Sequence, residues 1–180
     1  FCILNYECEN IDGNNKKILD GITFSGSFED IDIKSITYDS RKVSKDTLFV
    51  AIKGNRVDGH NYIYDAINRG ASAIIANGRS PQKCSIPLIR VKNTRKIMSK
   101  LADNFYEHPS SKLNTIGITG TNGKTTTCYL INKIFNEAGL NTASIGTLGF
   151  ISSSSIVNTG FTTPESIELH NLLNNLIKGG

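Results

Sequence analysis

The stretch TIGITGTNGKTTTCYLINKIFNEAGLNTASIG, Thr115 to Gly146, decides the fold class. Thr115 to Thr119 reads as a short strand, and a glycine-rich turn follows it. Lys124 to Ala138 then carries Leu130, Ile131, Ile134, Phe135 and Ala138 at helical spacing, with Gly139 as a left-handed stop. Thr142 to Ile145 reads as the next strand, so the stretch is a βαβ unit and the class is α/β. The turn itself, GITGTNGKTTT from Gly117 to Thr127, has the composition of a phosphate cradle. Glycines allow a tight turn whose N–H groups face phosphate oxygens, and the helix N-terminus adds a favourable dipole. Lys124 would reach the β- and γ-phosphates, and the Thr125 hydroxyl would serve Mg²⁺. The strict pattern wants glycine five residues before Gly123, where Ile118 stands; glycines fall at 117, 120 and 123 instead. A strand-to-helix turn with an incidental lysine is the alternative reading.

Upstream, short apolar runs alternate with helical patterns from Ser35 on. SITYD (35–39), LFVAI (48–52), AIIA (73–76) and LIRV (88–91) read as strands, and NYIYDAINRG (61–70) reads as a helix stopped by Gly70. Ile97, Met98, Leu101, Ala102 and Phe105 mark a helix from Thr94 to Glu107, which Pro109 ends. The polar HPSSKLN (108–114) is the expected boundary, which separates a domain of residues 1–111 from one of residues 112–180. The expected architecture is a small mixed α/β domain followed by the first part of a P-loop type domain with a parallel sheet. Downstream, Ser152 to Ser155 reads as a loop. A helix begins near Pro164, with Thr163 as N-cap and an apolar stripe at Leu169, Leu172, Leu173, Leu176 and Ile177. A sheet of two or three strands would cover that stripe poorly, so the second domain is expected to be truncated and this portion to self-associate. The first 34 residues are the least readable.

The chain has 180 residues, 38% of them hydrophobic, with 20 Lys and Arg against 16 Asp and Glu. That composition fills a core, and the modest +4 charge, without a run of like residues, suits small polyanions rather than demanding nucleic acid. No segment has the apolar length of a membrane span, and the start FCILNYECEN lacks the basic region and cleavage site of a leader, so the expectation is a cytoplasmic protein. Cys2, Cys8, Cys84 and Cys128 show no CxxC spacing, and His60, His108 and His170 form no metal-binding pair.

GTNGKTTT is where the chain resembles a family, the Mur ligases, whose nucleotide loop has the form GTxGKTT. Tyr38 to Ala76, IGTLGF (145–150) and TTPE (162–165) extend the resemblance over Ser35 to Gly180, and the last two resemble the member that adds the third amino acid. The resemblance implies an ATP-dependent ligase of peptidoglycan synthesis that joins a diamino acid, meso-diaminopimelate or L-lysine, to UDP-N-acetylmuramoyl-L-alanyl-D-glutamate through an acyl phosphate. It implies a UDP-muramoyl-binding first domain, an ATP-binding central domain and a further carboxy-terminal ligase domain. It assigns ATP to Gly120, Thr121, Asn122, Gly123, Lys124, Thr125 and Thr126, with Mg²⁺ at Thr125 and Lys124 catalytic. It assigns the substrate to Tyr38, Ser40, Asn55, Arg56, Val57, Thr162 and Thr163. The complete protein is expected to be a monomer, and this portion alone to be inactive.

Several of those residues also have plainer readings. Asp39-Ser40-Arg41 suits a hydrogen-bonded turn with an ion pair, His60 suits the lead-in to a helix, and Thr163-Pro164 suits a cap that needs no ligand. Competing functions are the sister ligase that adds a dipeptide in the next step and a non-catalytic UDP-sugar-binding module.

Overall fold

The computed structural model describes residues 2–5, 15–26, 31–54, 57–78, 80–81, 83–152, 156–157 and 164–179. In chain order the elements are β1 (Cys2–Asn5), β2 (Phe24–Ser25), β3 (Ser35–Thr37), β4 (Thr47–Val50), α1 (Ile63–Asn68), β5 (Ala71–Ala76), β6 (Leu88–Val91) and α2 (Thr94–Phe105). They continue with β7 (Leu113–Ile116), α3 (Lys124–Glu137), β8 (Thr142–Gly146), β9 (Gly149–Ser152), β10 (Ile156–Val157) and α4 (Ser166–Lys178). The class is mixed α/β, and the chain forms two compact units, Asp12–Phe105 and Phe1–Ile11 with Tyr106–Gly180. The expected boundary thus shifts by a few residues, and the first eleven residues join the second unit rather than the first.

In the unit Asp12–Phe105 the strand order is β2-β6-β5-β4-β3. β3, β4, β5 and β6 run parallel, and β2 closes the edge antiparallel to β6. The central strands read TLFV and ASAIIA and are buried almost throughout, as a parallel sheet covered on both faces requires. Phe49, Val43, Ala51, Ile63, Ala66 and Ile74 form one core cluster. Gly70, at φ 100, ends the turn after α1, the conformation expected of the residue that stops a helix.

α2 is capped by Asn93, whose side chain accepts from the Lys96 amide at 3.0 Å. It ends at Phe105, two residues before the expected Glu107, because Glu107 (φ 57) and His108 (φ 55) are left-handed. Pro109 disfavours helical backbone at His108. Buried Asn104 on α2 donates to the carbonyls of Ile18 (3.0 Å) and Asp20 (2.8 Å), tying the amino-terminal 3₁₀ turn to the helix. Asn104→Ala removes both donors and is expected to cost about 1–3 kcal/mol, read as a lower urea midpoint at unchanged slope.

The second unit carries the sheet β10-β9-β8-β1-β7. A βαβ unit leads one to expect β7 and β8 paired directly in a parallel sheet; instead β1 lies between them, antiparallel to both, with Cys2 opposite Ile116 on one side and Ser144 on the other. β7 and β8 keep the same direction without touching as a ladder. A tight turn at Thr147-Leu148 adds β9 as a hairpin on β8, with Gly146 opposite Gly149.

This fuller sheet changes the fate of two helices. Contrary to the expectation that α4 lacks a sheet face, Leu173 and Leu176 pack with Leu113, Ala143, Ile145 and Phe150, with Leu169, Leu172 and Ile177 partly buried beside them. The helix starts at Ser166 with Glu165 at the cap position and no side-chain cap bond, so Pro164 precedes the helix rather than opening it. The expected cap, Thr163, lies outside the described residues. α3 is the helix left open: Leu130 and Ile134 are 52% and 64% exposed, and its only buried residue is Asn132. The Asn132 amide donates to the Thr142 hydroxyl at 3.1 Å, so a polar pair joins α3 to β8.

Candidate functional site

The glycine-rich loop joins β7 to α3, and the strand before it ends at Ile116, three residues earlier than the sequence suggests. Gly123 is the residue before the helix and sits at φ 77, a left-handed position that favours glycine. The Gly123 carbonyl accepts the Thr127 amide at 2.9 Å, the first helical bond, which leaves the amides ahead of Thr127 without helical partners. Fourteen residues of α3 align their dipoles behind that end. Gly120, Thr121, Asn122, Gly123, Lys124, Thr125 and Thr126 are all exposed.

Lys124 folds back over its own loop. Its ammonium donates to the Gly120 carbonyl and, at 3.4 Å, to the Thr121 carbonyl. A cavity of about 250 Å³ lies beside the loop, lined by Ile118, Lys124, Thr125, Cys128 and Tyr129 from one side and by the Ser144–Gly149 turn from the other. The β8–β9 turn is therefore part of the site's wall. In the sequence IGTLGF stands out only as a likeness; the local signal for a hairpin is two residues between paired glycines.

A second group of candidate residues lies in the other unit, at the carboxyl ends of adjacent parallel strands, where open α/β sheets bind ligands. Tyr38 and Ser40 follow β3, and residues 53–58 follow β4. Asn55 and Arg56, like Thr162 and Thr163, lie outside the described residues; Val57 is 55% exposed. The Asp39 carboxylate accepts the Arg41 amide at 3.0 Å and pairs both arms of the Arg41 guanidinium, at 2.9 and 2.8 Å. The plainer reading of DSR thus describes its local structure. Arg41 is the main cause holding the Asp39 carboxyl below its ordinary value.

Ser40 is buried, 7% exposed, which the sequence does not suggest. Arg69, donating to Asp65 Oδ1 of α1 at 2.9 Å, is the main cause holding the Asp65 carboxyl below its ordinary value, and the Ser40 hydroxyl adds to it. Asp65 escapes sequence reasoning because nothing in its helical pattern marks it as a partner of Ser40. Among the described residues no group of three or more His, Cys, Asp or Glu could hold a metal ion, and neither Cys84 nor Cys128 is in a disulfide. No helix of the described residues is long and apolar enough to cross a membrane.

With this geometry established, comparison with known proteins is informative. Residues 32–106 match the Mur ligase family, catalytic domain, and residues 118–180 match the Mur ligase middle domain. A UDP-N-acetylmuramoyl-L-alanyl-D-glutamate–2,6-diaminopimelate ligase of Clostridioides difficile is 48% identical over 166 residues, 90% of this chain and 33% of that protein. The enzyme of the same name from Aquifex aeolicus is 48% identical over 141 residues, 78% of this chain and 29% of its own. Among solved structures, a diaminopimelate ligase of that name aligns with TM-score 0.62 at 24% identity, over 82% of this chain and 30% of its own, a likeness of fold. The D-alanyl-D-alanyl ligase of Acinetobacter baumannii aligns with TM-score 0.55 at 26% identity, over 68% of this chain and 27% of its own. The chain spans about a third of the length of the curated relatives it matches. Two successive domains of one family, matched in order over most of the sequence with the second starting inside the glycine-rich stretch, place this chain in the Mur ligase family.

Proposed function

We propose that this chain is the amino-terminal part of a cytoplasmic, ATP-dependent carbon–nitrogen ligase of peptidoglycan synthesis. The ligase adds 2,6-diaminopimelate to UDP-N-acetylmuramoyl-L-alanyl-D-glutamate. The observation that carries the reading is the exposed loop of residues 117–123, which presents the α3 amino terminus and the Lys124 ammonium to the same side as a cavity. The names of the relatives at 48% identity support diaminopimelate as the amino acid.

In this reading the loop amides and Lys124 bind the phosphates of ATP, and Lys124 exchanges its two carbonyl partners for phosphate oxygens. A carboxylate is a poor electrophile until an oxygen becomes phosphate. The D-glutamyl carboxylate therefore takes the γ-phosphoryl group, ADP leaves, the diaminopimelate amine attacks the acyl carbon, and phosphate departs. The protein's part is positioning and charge neutralisation.

Thr125, exposed in the first turn of α3, fits Mg²⁺ as one hydroxyl donor, in keeping with an ion that takes few protein ligands and otherwise uses waters and phosphates. When bound, Mg²⁺ supplies charge neutralisation at the phosphates. The unit Asp12–Phe105 holds the UDP-muramoyl end of the substrate through Tyr38, Ser40 and residues 55–57, and Thr162 and Thr163 hold its peptide end. Since Ser40 is only 7% exposed, its contact runs through its backbone or through a small shift that uncovers the hydroxyl.

A full-length ligase carrying this sequence, given ATP, Mg²⁺ and UDP-N-acetylmuramoyl-L-alanyl-D-glutamate, is expected to form tripeptide with meso-diaminopimelate in preference to L-lysine. Product with D-alanyl-D-alanine and a tripeptide acceptor would instead identify the sister ligase. UDP-substrate binding without ATP turnover would leave a binding module.

A further inference from the structure

His60 is a residue whose chemistry the reading above does not use. Its side chain is only 4% exposed. Nδ1 lies 2.6 Å from Asp58 Oδ1, and the Asn77 amide donates to Nε2 at 3.4 Å. An amide N–H can only donate, so Nε2 accepts, Nδ1 carries the proton, and the imidazole donates to the carboxylate. The same Asp58 oxygen also accepts the His60 amide at 3.1 Å.

These bonds close the loop between β4 and α1. Lys53 and Asp58 form an isolated antiparallel bridge, and the Gly54 amide donates to the Val57 carbonyl at 2.9 Å. The Gly59 amide donates to the Ile52 carbonyl at 2.8 Å, so tightly that a Cβ on Gly59 would stand 2.8 Å from the Ile52 oxygen. Lys53, Gly54, Val57 and Asp58 are therefore joined as a stem of which Asp58 is one leg. His60 ties that leg to Asn77 at the carboxyl end of β5, on the strand next to the one from which the loop springs.

We propose that His60 is a positioning residue, which through Asp58 sets the stance of the neighbouring Val57 toward the UDP-muramoyl substrate. The proposal rests on the function proposed above for residues 55–57. A helix lead-in would need no buried imidazole bonded at both nitrogens to two different segments. Fixing Asp58 and Val57 before binding spares the cost of ordering them at the moment of association. Loss of the tie should therefore appear in substrate affinity and not in the chemical step.

The test uses His60→Ala, His60→Asn and His60→Gln in a full-length ligase carrying this sequence. Asparagine places a donor where Nδ1 stands and so can keep the Asp58 bond; glutamine reaches the Nε2 position and cannot. His60→Ala is expected to raise KM for the UDP-muramoyl dipeptide roughly tenfold, with kcat and the KM for ATP within about twofold, as a lost tie worth about 1.4 kcal/mol would. His60→Asn should recover most of that loss and His60→Gln little of it. Unchanged KM for the UDP substrate in His60→Ala, or a fall in kcat alone, overturns the proposal, as does equal behaviour of the Asn and Gln variants.

Amide hydrogen exchange in this chain, without substrate, tests the tie independently of the kinetics. Exchange at Gly54 and Gly59 should speed up severalfold in His60→Ala and stay near wild type in His60→Asn. Unaltered exchange would refute the tie whatever the kinetics. Failure of the wild-type enzyme to use a UDP-muramoyl substrate would refute the functional reading instead. Should His60→Ala not fold, the Asn and Gln pair decides the matter.

Discussion

Lys124→Ala is expected to lower ligase turnover by at least about 10²–10³-fold, the range seen when one preorganised donor to developing charge is removed. The folded state should barely change. Lys124 is exposed, and its bonds run to carbonyls of its own loop, so truncation leaves no buried group unpaired. Steady-state assay of the full-length enzyme with ATP and UDP-muramoyl dipeptide, alongside a thermal melt, separates the two roles. Wild-type turnover would defeat the phosphate-loop reading. A collapse of the melt would show that the lysine holds the loop together.

Phe49→Ala should have the largest effect on stability. Phe49 is 0% exposed in β4, the strand flanked by parallel partners on both sides, and it packs with Val43, Ile63, Ala66 and Ile74. Truncating a ring in such a site costs about 3–5 kcal/mol, because neighbours fixed in a sheet cannot close the cavity. In a unit of this size the melting temperature would fall on the order of 15 °C or more. A drop of under roughly 4 °C in calorimetry would mean that the sheet relaxes around the hole.

Much of the Asp12–Phe105 unit is legible from local pattern. The strands at 73–76 and 88–91 appear where their apolar runs stand, with β5 extended to Ala71, and Gly70 and Gly139 stop helices at positive φ. The loop ahead of Lys124 is legible for the same reason: glycine spacing and the residues around it are neighbours in the chain. Ser40 shows the limit. Asp-Ser-Arg predicts a turn and an Asp39–Arg41 pair, both present, but the burial of Ser40 depends on how α1 packs beside it. The likeness to the Mur ligases points to Ser40 and to residues 55–57 without showing that His60 bonds Asp58 and Asn77.

The mixed α/β class, most of the elements between Ser35 and Ile145, the glycine-rich loop before Lys124 and the family are legible from the residues alone. Those signals are carried by periodicity, glycine φ and short motifs, which act over a few residues. Long-range packing sets the rest: Cys2–Asn5 enters the second sheet between β7 and β8, α4 finds a sheet face while α3 stays open, and His60 joins Asp58 to Asn77. Each of these depends on partners distant in the chain, as in the pairing of Cys2 with Ile116. Strand pairing and burial are settled by which apolar faces and unpaired backbone groups remain to be covered once the nearer elements have packed.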